Sequence, residues 1–505
     1  MKAGRFEPDL PGTVRADYPE PIGYRSFPRL LVVMAALLMV AAACTTEPDD
    51  GDGAAAESSS STSSSTTSTT APPEPDDGDA PVPDAPVDPD APPPSLTEEE
   101  LTERLAQMQG RLAVGNGPEL AVVRPDGAAS IPIEGDEQLV AGQATWSRDG
   151  SRLAWSSLSA EAQEIRILSF GDDGLPAGSP LGSDASGSPV FYLQWDGSGD
   201  RLAYLRNAQL AGRLEVGLVE PGEPIAPVSE GAPFFLAWDT DSDRLAGHIG
   251  EQRIAVHEVA DGAESGFVDV RSPAGGFSAP AWVGENTILA VADGALSVVD
   301  VVSGEADPLV PLAGPVEFVV SPDRSKVAFQ TLSQGGLTLV GDRGGVSSPI
   351  QDPTVSLVVL DLVDGQQTQV SDVAALAWEW SPDSSRLAWL EATPTGRPGG
   401  RWHFWSEAEE SGGAVIGTER TPELFLTRTY AQAYLPFFAQ YAQSVTGWSP
   451  DSTAFAFAGV IGGDRGVWVQ LVDETVSPRL VAPGDIVTWG PGVPPEPQVG
   501  APSAA

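Results

Sequence analysis

The chain has 505 residues, with 71 Asp and Glu against 27 Lys and Arg and a formal net charge of −44. Binding to a phosphate backbone needs a basic patch, so this balance excludes nucleic acid as a default partner and disfavours anionic lipid surfaces. The only cysteine is Cys44, so no disulfide, zinc site or thiol chemistry is available beyond it, and the folded part must be held by core packing.

The first apolar run, "LLVVMAALLMVAAA" at 30–43, follows Arg25 and Arg29 and is 14 residues long, short of the ~20 a spanning helix needs. It reads as a signal peptide over 1–43. Ala41-Ala42-Ala43 before Cys44 resembles a bacterial lipobox, which implies a lipid (palmitate-type) anchor on Cys44 and an extracytoplasmic, membrane-attached protein. Residues 45–94 are rich in Ser, Thr, Pro and Asp without large apolar side chains, and they read as a disordered acidic tether. In 95–110, Thr97-x-x-Glu100 is a capping box, with Leu101, Leu105 and Met108 on one face of a short helix.

From there a phrase recurs: "TWSRDGSRLAW" at 145–155, "QWDGSGDRLAYL" at 194–205, "AWDTDSDRLAGHI" at 237–249, "AWVGENTILAVA" at 281–292, "VVSPDRSKVAFQ" at 319–330, "WSPDSSRLAWL" at 380–390 and "GWSPDSTAFAFAG" at 447–459. A half-copy, "VTWGP", lies at 487–491. The mean spacing of about 49 residues signals a repeat architecture. Each copy reads as strand, tight turn, strand. Pro suits the turn's φ near −65°, Asp accepts from nearby backbone N–H groups, and the run after the turn is apolar on both faces. Two more strand-like runs follow most copies, which predicts four-stranded propeller blades over 111–491 and a disordered tail over 492–505. Seven units begin at Trp146, Trp195, Trp238, Trp282, Val320, Trp380 and Trp448. The strands at 111–133 lack an inner strand, and 487–491 supplies one. The expected fold is therefore all-β, a single propeller of eight blades with seven as the alternative, closed by joining the N- and C-terminal strands.

The W-S-P-D-G/S-x-R-L-A phrase resembles the Pro-Asp repeats of the TolB-like propeller family over nearly all of 111–491. The resemblance implies fold more than function, since that family holds protein-binding propellers as well as the propeller halves of peptidases.

Chemistry is sought in what does not repeat. Insertions at 331–355 and 391–400, and the long approach at 429–445, are expected on the rim opposite the Pro-Asp hairpins. Candidate ligand-binding residues are Arg397, Arg401, Trp402, Tyr430, Tyr434, Phe437, Phe438 and Tyr441, as an aromatic surface with two arginines. Packing of an enlarged blade is the competing reading of the rings, and solvated surface that of the arginines. No G-x-S-x-G elbow occurs. His248, His257 and His403 show no ligand spacing, and 239–251 departs from a calcium loop at its sixth and twelfth positions. The reading is a lipoprotein whose propeller binds a protein, peptide or envelope ligand as a monomer, with no cofactor, metal or catalytic residue assigned. The alternative is a hydrolase or lyase using rim or channel carboxylates.

Overall fold

The computed structural model describes residues 96–495 except 135–139, 159–162, 185–189, 208–213, 222–225, 232–234, 250–252, 260–263, 270–278, 313, 332–355, 394–398, 408–413, 417–420 and 475. Cys44, the 45–94 segment, Arg397, nearly all of the 331–355 insertion and residues 496–505 thus lie outside the described residues.

Strands dominate. Among the described residues they form six four-stranded antiparallel sheets and one larger sheet. Five of the six are simple meanders in chain order, whose first strands are Val140–Trp146, Val190–Trp195, Leu236–Trp238, Ala281–Trp282 and Val316–Val320. The sixth joins Arg111–Asn116, Glu119–Val123 and Ser130–Glu134 to Ile486–Gly490, so that Leu112 faces Trp489 across the pairing. This arrangement of meandering sheets is that of a β-propeller.

The repeated phrase does three jobs. Its Asp builds the turn: Asp383 accepts the Ser385 N–H at 3.0 Å and the Ser381 hydroxyl at 2.6 Å. Its Trp reaches backward. The indole N–H groups of Trp195, Trp238, Trp282, Trp380 and Trp448 donate to the carbonyls of Thr145, Gln194, Ala237, Val319 and Glu379, at 3.0 to 3.1 Å. Every acceptor is the residue just before the corresponding position in the preceding copy. Its Arg reaches forward: Arg152 bonds Gly199 and Asp200, Arg201 bonds Ser242, and Arg244 bonds Glu285 and Asn286 in the following hairpin. Each indole bond is worth about 1 kcal/mol net, and repetition makes them a belt. Val320 has no donor, so this indole bond is missing where the Val316–Val320 sheet meets the one before it.

Two features depart from plain four-stranded units. The Trp448 copy has only an isolated bridge, Trp448 to Phe455, where the other copies have a first strand. Leu424–Phe425 pairs with both Gly399–Ser406 and Ala454–Ile461, fusing the last two units into one sheet. Both follow from the route of the chain after Phe425, which leaves the sheet and returns to it only at Gly447.

One helix precedes the sheets. In α1 (Glu98–Gln107), Thr97 caps the first turn and Glu100 returns the bond to the Thr97 N–H at 2.8 Å. Leu101, Leu105 and Met108 are buried with Leu112, Val114 and Val481, so the helix covers the sheet that joins the two ends of the propeller segment.

Candidate functional site

Residues 429–450 contain no charged side chain, in a chain that is 19% Asp, Glu, Lys and Arg. Such a run cannot be solvated cheaply and is expected to be covered. It folds as three short turns, Tyr430–Tyr434, Leu435–Phe437 and Phe438–Tyr441, with Pro436 in the middle one.

This segment hydrogen-bonds the first strands one after another. Gln440 closes a two-bond ring on Leu236, its Nε2 donating to the Leu236 carbonyl and its Oε1 accepting the Leu236 N–H, both at 3.0 Å. Tyr192 donates to the Gln440 carbonyl at 2.9 Å, and Tyr441 donates to the Phe191 carbonyl. Gln443 donates to Pro280 at 3.2 Å, beside Ala281–Trp282. Thr145 donates to the Ser444 carbonyl at 2.6 Å, and the Trp489 N–H donates to Thr446 at 2.7 Å. Phe438 packs edge-on against Trp378 at 4.5 Å. Five first strands, or the residue beside one, and the strand Ile486–Gly490 are thereby touched by a single stretch of chain.

The candidate aromatics therefore face inward. Tyr430 stacks on Tyr434 at 5.1 Å and Tyr434 on Tyr441 at 4.6 Å, while Phe438 and Tyr441 are buried and Phe437 is half-buried. Trp402 is 2% exposed and tilts against Phe455 at 4.7 Å, in the same core cluster as Leu435 and Phe438. Arg401 is half-buried opposite Glu391, and its Nε has no partner. Phe438, Tyr441 and Trp402 are thus taken up in packing, while Tyr430, Tyr434 and Phe437 pack against the core and stay half-buried. The run without charge was the signal in the sequence for this packing of the segment.

Beneath the segment lies Glu379, on Ala375–Trp380. Its Oε2 accepts the Gly447 N–H at 2.9 Å. Burial pushes its carboxyl up to about 7 from the usual 4.5, against the bonds from Gly447 and Thr446. The hydroxyls of Tyr430 and Tyr434 are buried without partners, and burial, with the Glu379 charge added, drives both phenols well above their ordinary range. A carboxyl that titrates near neutrality suits proton transfer, but this one is 8% exposed and is used to hold the returning chain.

Its pH dependence is expected to be measurable. Below about pH 4.5 the folded and unfolded chains both hold the proton. From there to about pH 7 only the unfolded chain releases it, so stability falls as pH rises, by about 3 kcal/mol in all. Glu379→Gln removes the titration, so its stability advantage over wild type should grow between pH 4.5 and 7 and then level off. Urea unfolding at pH 5, 6, 7 and 8 checks this, and a gap independent of pH would refute it.

The remaining candidates are structural. His403 stacks on Trp389 at 5.0 Å with its Nε2 2.8 Å from Glu391 Oε2, and that bond to His403 holds the Glu391 carboxyl below its ordinary value. His257 is buried within Arg253–Glu258. Asp239 accepts the Asp243 and Arg244 N–H groups, so 239–244 is a hairpin turn with the Asp239 carboxylate occupied. Among the described residues no group of three or more His, Cys, Asp or Glu is placed to hold a metal ion, and no helix is long and apolar enough to cross a membrane.

No family model matches the chain. No curated protein matches it either. Solved structures do. It is similar to a eukaryotic initiation factor structure at 14% identity and TM-score 0.48, covering 76% of this chain and 99% of that one. An oligogalacturonate lyase in complex with manganese matches at 11% identity and TM-score 0.44, over 73% and 99%. TolB from Acinetobacter baumannii matches at 14% identity and TM-score 0.31, over 67% and 82%. At these scores nothing about activity or partners passes from them to this chain.

Proposed function

We propose that the chain is an exported lipoprotein, anchored through Cys44, whose eight-bladed propeller is closed by its two ends and acts as a non-catalytic binding module for a protein, peptide or envelope ligand. The anchor is supported by the 30–43 apolar run ending at the only cysteine. The blade count is supported by six four-stranded sheets, two more units fused into the larger sheet, and the pairing of Arg111–Gly115 with Ile486–Gly490.

The observation that carries the binding reading is the central segment. Where the first strands meet, a substrate would find Gln440, Tyr441 and Ser444 already bonded to the strands. Recognition then falls to the two open faces and the outer sides of the sheets. Among the described residues, Glu379 is the feature that favours an enzyme, a hydrolase or lyase using a rim or channel carboxylate. Activity abolished by Glu379→Gln in an intact fold would establish that reading instead.

Replacing Cys44 by Ser is expected to move the protein from the membrane to the soluble fraction of cells. Unchanged membrane retention would remove the anchor. For the module itself, affinity capture from an envelope fraction with the detergent-solubilised full chain should retain a stoichiometric partner. Turnover of a small molecule without such a partner would replace the binding reading.

A further inference from the structure

The outer strand of each four-stranded sheet is paired on one side and, among the described residues, has no strand partner on the other. A bare strand edge offers a row of N–H and C=O groups to an extended chain that meets it. Five of the six outer strands carry residues that spoil such an edge. Pro132 interrupts Ser130–Glu134, Pro227 interrupts Ala226–Gly231, and Pro308 and Pro311 interrupt Ala306–Pro311, each lacking the N–H that an added strand would need. Leu181–Asp184 contains Gly182 and Asp184, and Glu264–Asp269 contains Glu264, Gly266 and Asp269. The sixth, Gln367–Ser371, reads Gln-Thr-Gln-Val-Ser, with no proline, glycine or charge.

Register fixes which of its groups are on offer. The strand pairs antiparallel with Leu357–Asp361, setting Leu360 against Gln367, Val359 against Thr368 and Val358 against Gln369. The Asp361 N–H closes the hairpin between them on the Gln366 carbonyl at 2.9 Å. Backbone groups alternate along an antiparallel pair, so Gln366 and Thr368 turn theirs toward Leu357–Asp361 while Gln367 and Gln369 turn theirs outward. Both outward residues are exposed. A bulge between Gln369 and Ser371 ends the run, and four of the other outer strands have one too, so it does not set this strand apart. Asp364 and Asp372 stand at the two ends of the edge, both exposed and neither in an ion pair among the described residues. Asp364 accepts only the Gln366 N–H, at 2.8 Å.

We propose that the Gln367–Ser371 edge is a docking site where an extended segment of a partner protein adds as a further strand, its uncharged core of about five residues flanked on both sides by Lys or Arg. Charge selects this occupant. Basic flanks meet Asp364 and Asp372, one at each end of the edge. A second copy paired antiparallel about Thr368 would instead set Asp364 of each chain opposite Asp372 of the other, between molecules of net charge −44. The chain's own 45–94 segment is rich in proline and Asp, and it suits neither the ladder nor the charge.

The edge rests on the reading of the chain as a binding module, and its test separates the two. The probe is the peptide N-acetyl-Lys-Thr-Val-Thr-Val-Thr-Lys-amide, titrated into the detergent-solubilised full chain beside the same peptide with Glu at both ends and the same peptide with proline at its centre. Saturable binding of the Lys peptide is expected, with slowed hydrogen exchange in Gln367–Ser371 and weaker binding of both controls. Gln369→Pro removes an outward N–H that the native sheet does not use, so it should weaken binding about tenfold or more and melt close to wild type. Gln369→Lys keeps the backbone and repels the basic flanks, and it carries the comparison if the proline variant misfolds. No saturable binding, unchanged exchange in the strand, or undiminished binding by the variants overturns the site, and equal binding of the Glu peptide overturns the basic partner. Dimerisation of wild type that Gln369→Pro abolishes would put a second copy on the edge instead. Partner capture that persists in both variants, with the Lys peptide unbound by wild type, removes the edge and leaves the module standing.

Discussion

A chain ending at Pro483 is expected to lose its cooperative fold. Residues 484–505 contribute the strand Ile486–Gly490, which pairs with Arg111–Gly115 and completes the sheet that ties the two ends of the propeller segment. Trp489 is 2% exposed, donates its indole N–H to Gln109 at 3.2 Å and its backbone N–H to Thr446. Asp485 is lost as well, with its carbonyl bond from Thr427 and its ion pair with Arg465. The buried Trp alone is worth about 3–5 kcal/mol, and the unpaired edge of Arg111–Asn116 adds to the loss. Domains of ordinary stability hold only about 5–15 kcal/mol, so the shortened chain should be unfolded or aggregated at 25 °C. A thermal transition by circular dichroism within a few degrees of wild type would refute the closing role of this strand.

Gln440→Ala is the second large effect. The side chain satisfies both backbone groups of Leu236, a residue with no measurable exposure at the start of its strand. Alanine leaves a buried N–H and a buried carbonyl without partners, at about 1–3 kcal/mol each, so a loss of roughly 2–5 kcal/mol is expected. Since the same turn carries the Tyr192 and Tyr441 bonds, the segment should also become a site of proteolytic cleavage before the sheets do. Urea unfolding and limited proteolysis followed by mass spectrometry check the two parts. An unchanged midpoint would mean that the segment lies on the strands without holding them.

The repeat was legible because its chemistry is local. Asp383 bonds Ser381 and Ser385, two residues away on either side, and any such turn is visible as a string of letters. The indole bond to the preceding strand was not legible, since Trp380 and Val319 are 61 residues apart. The contacts of the 429–445 segment were not legible for the same reason. Tyr, Phe and Gln suit a recognition surface and a buried hub equally, and only contacts such as Gln440 to Leu236, separated by 204 residues, decide between them.

The belt of Trp and Arg bonds is blind to how many units it contains, since each copy addresses only its neighbours. Left to that rule, a gene encoding such units could gain or shed one by unequal recombination and still yield well-joined sheets. The central segment removes that freedom. Its glutamines, Tyr441, Ser444 and Thr446 meet strands at Thr145, Tyr192, Leu236, Pro280 and Trp489 in a single pass. A chain with a unit gained or lost would present different strands to the segment and leave some of these groups unmatched, so the segment, unlike the belt, is sensitive to the number of units.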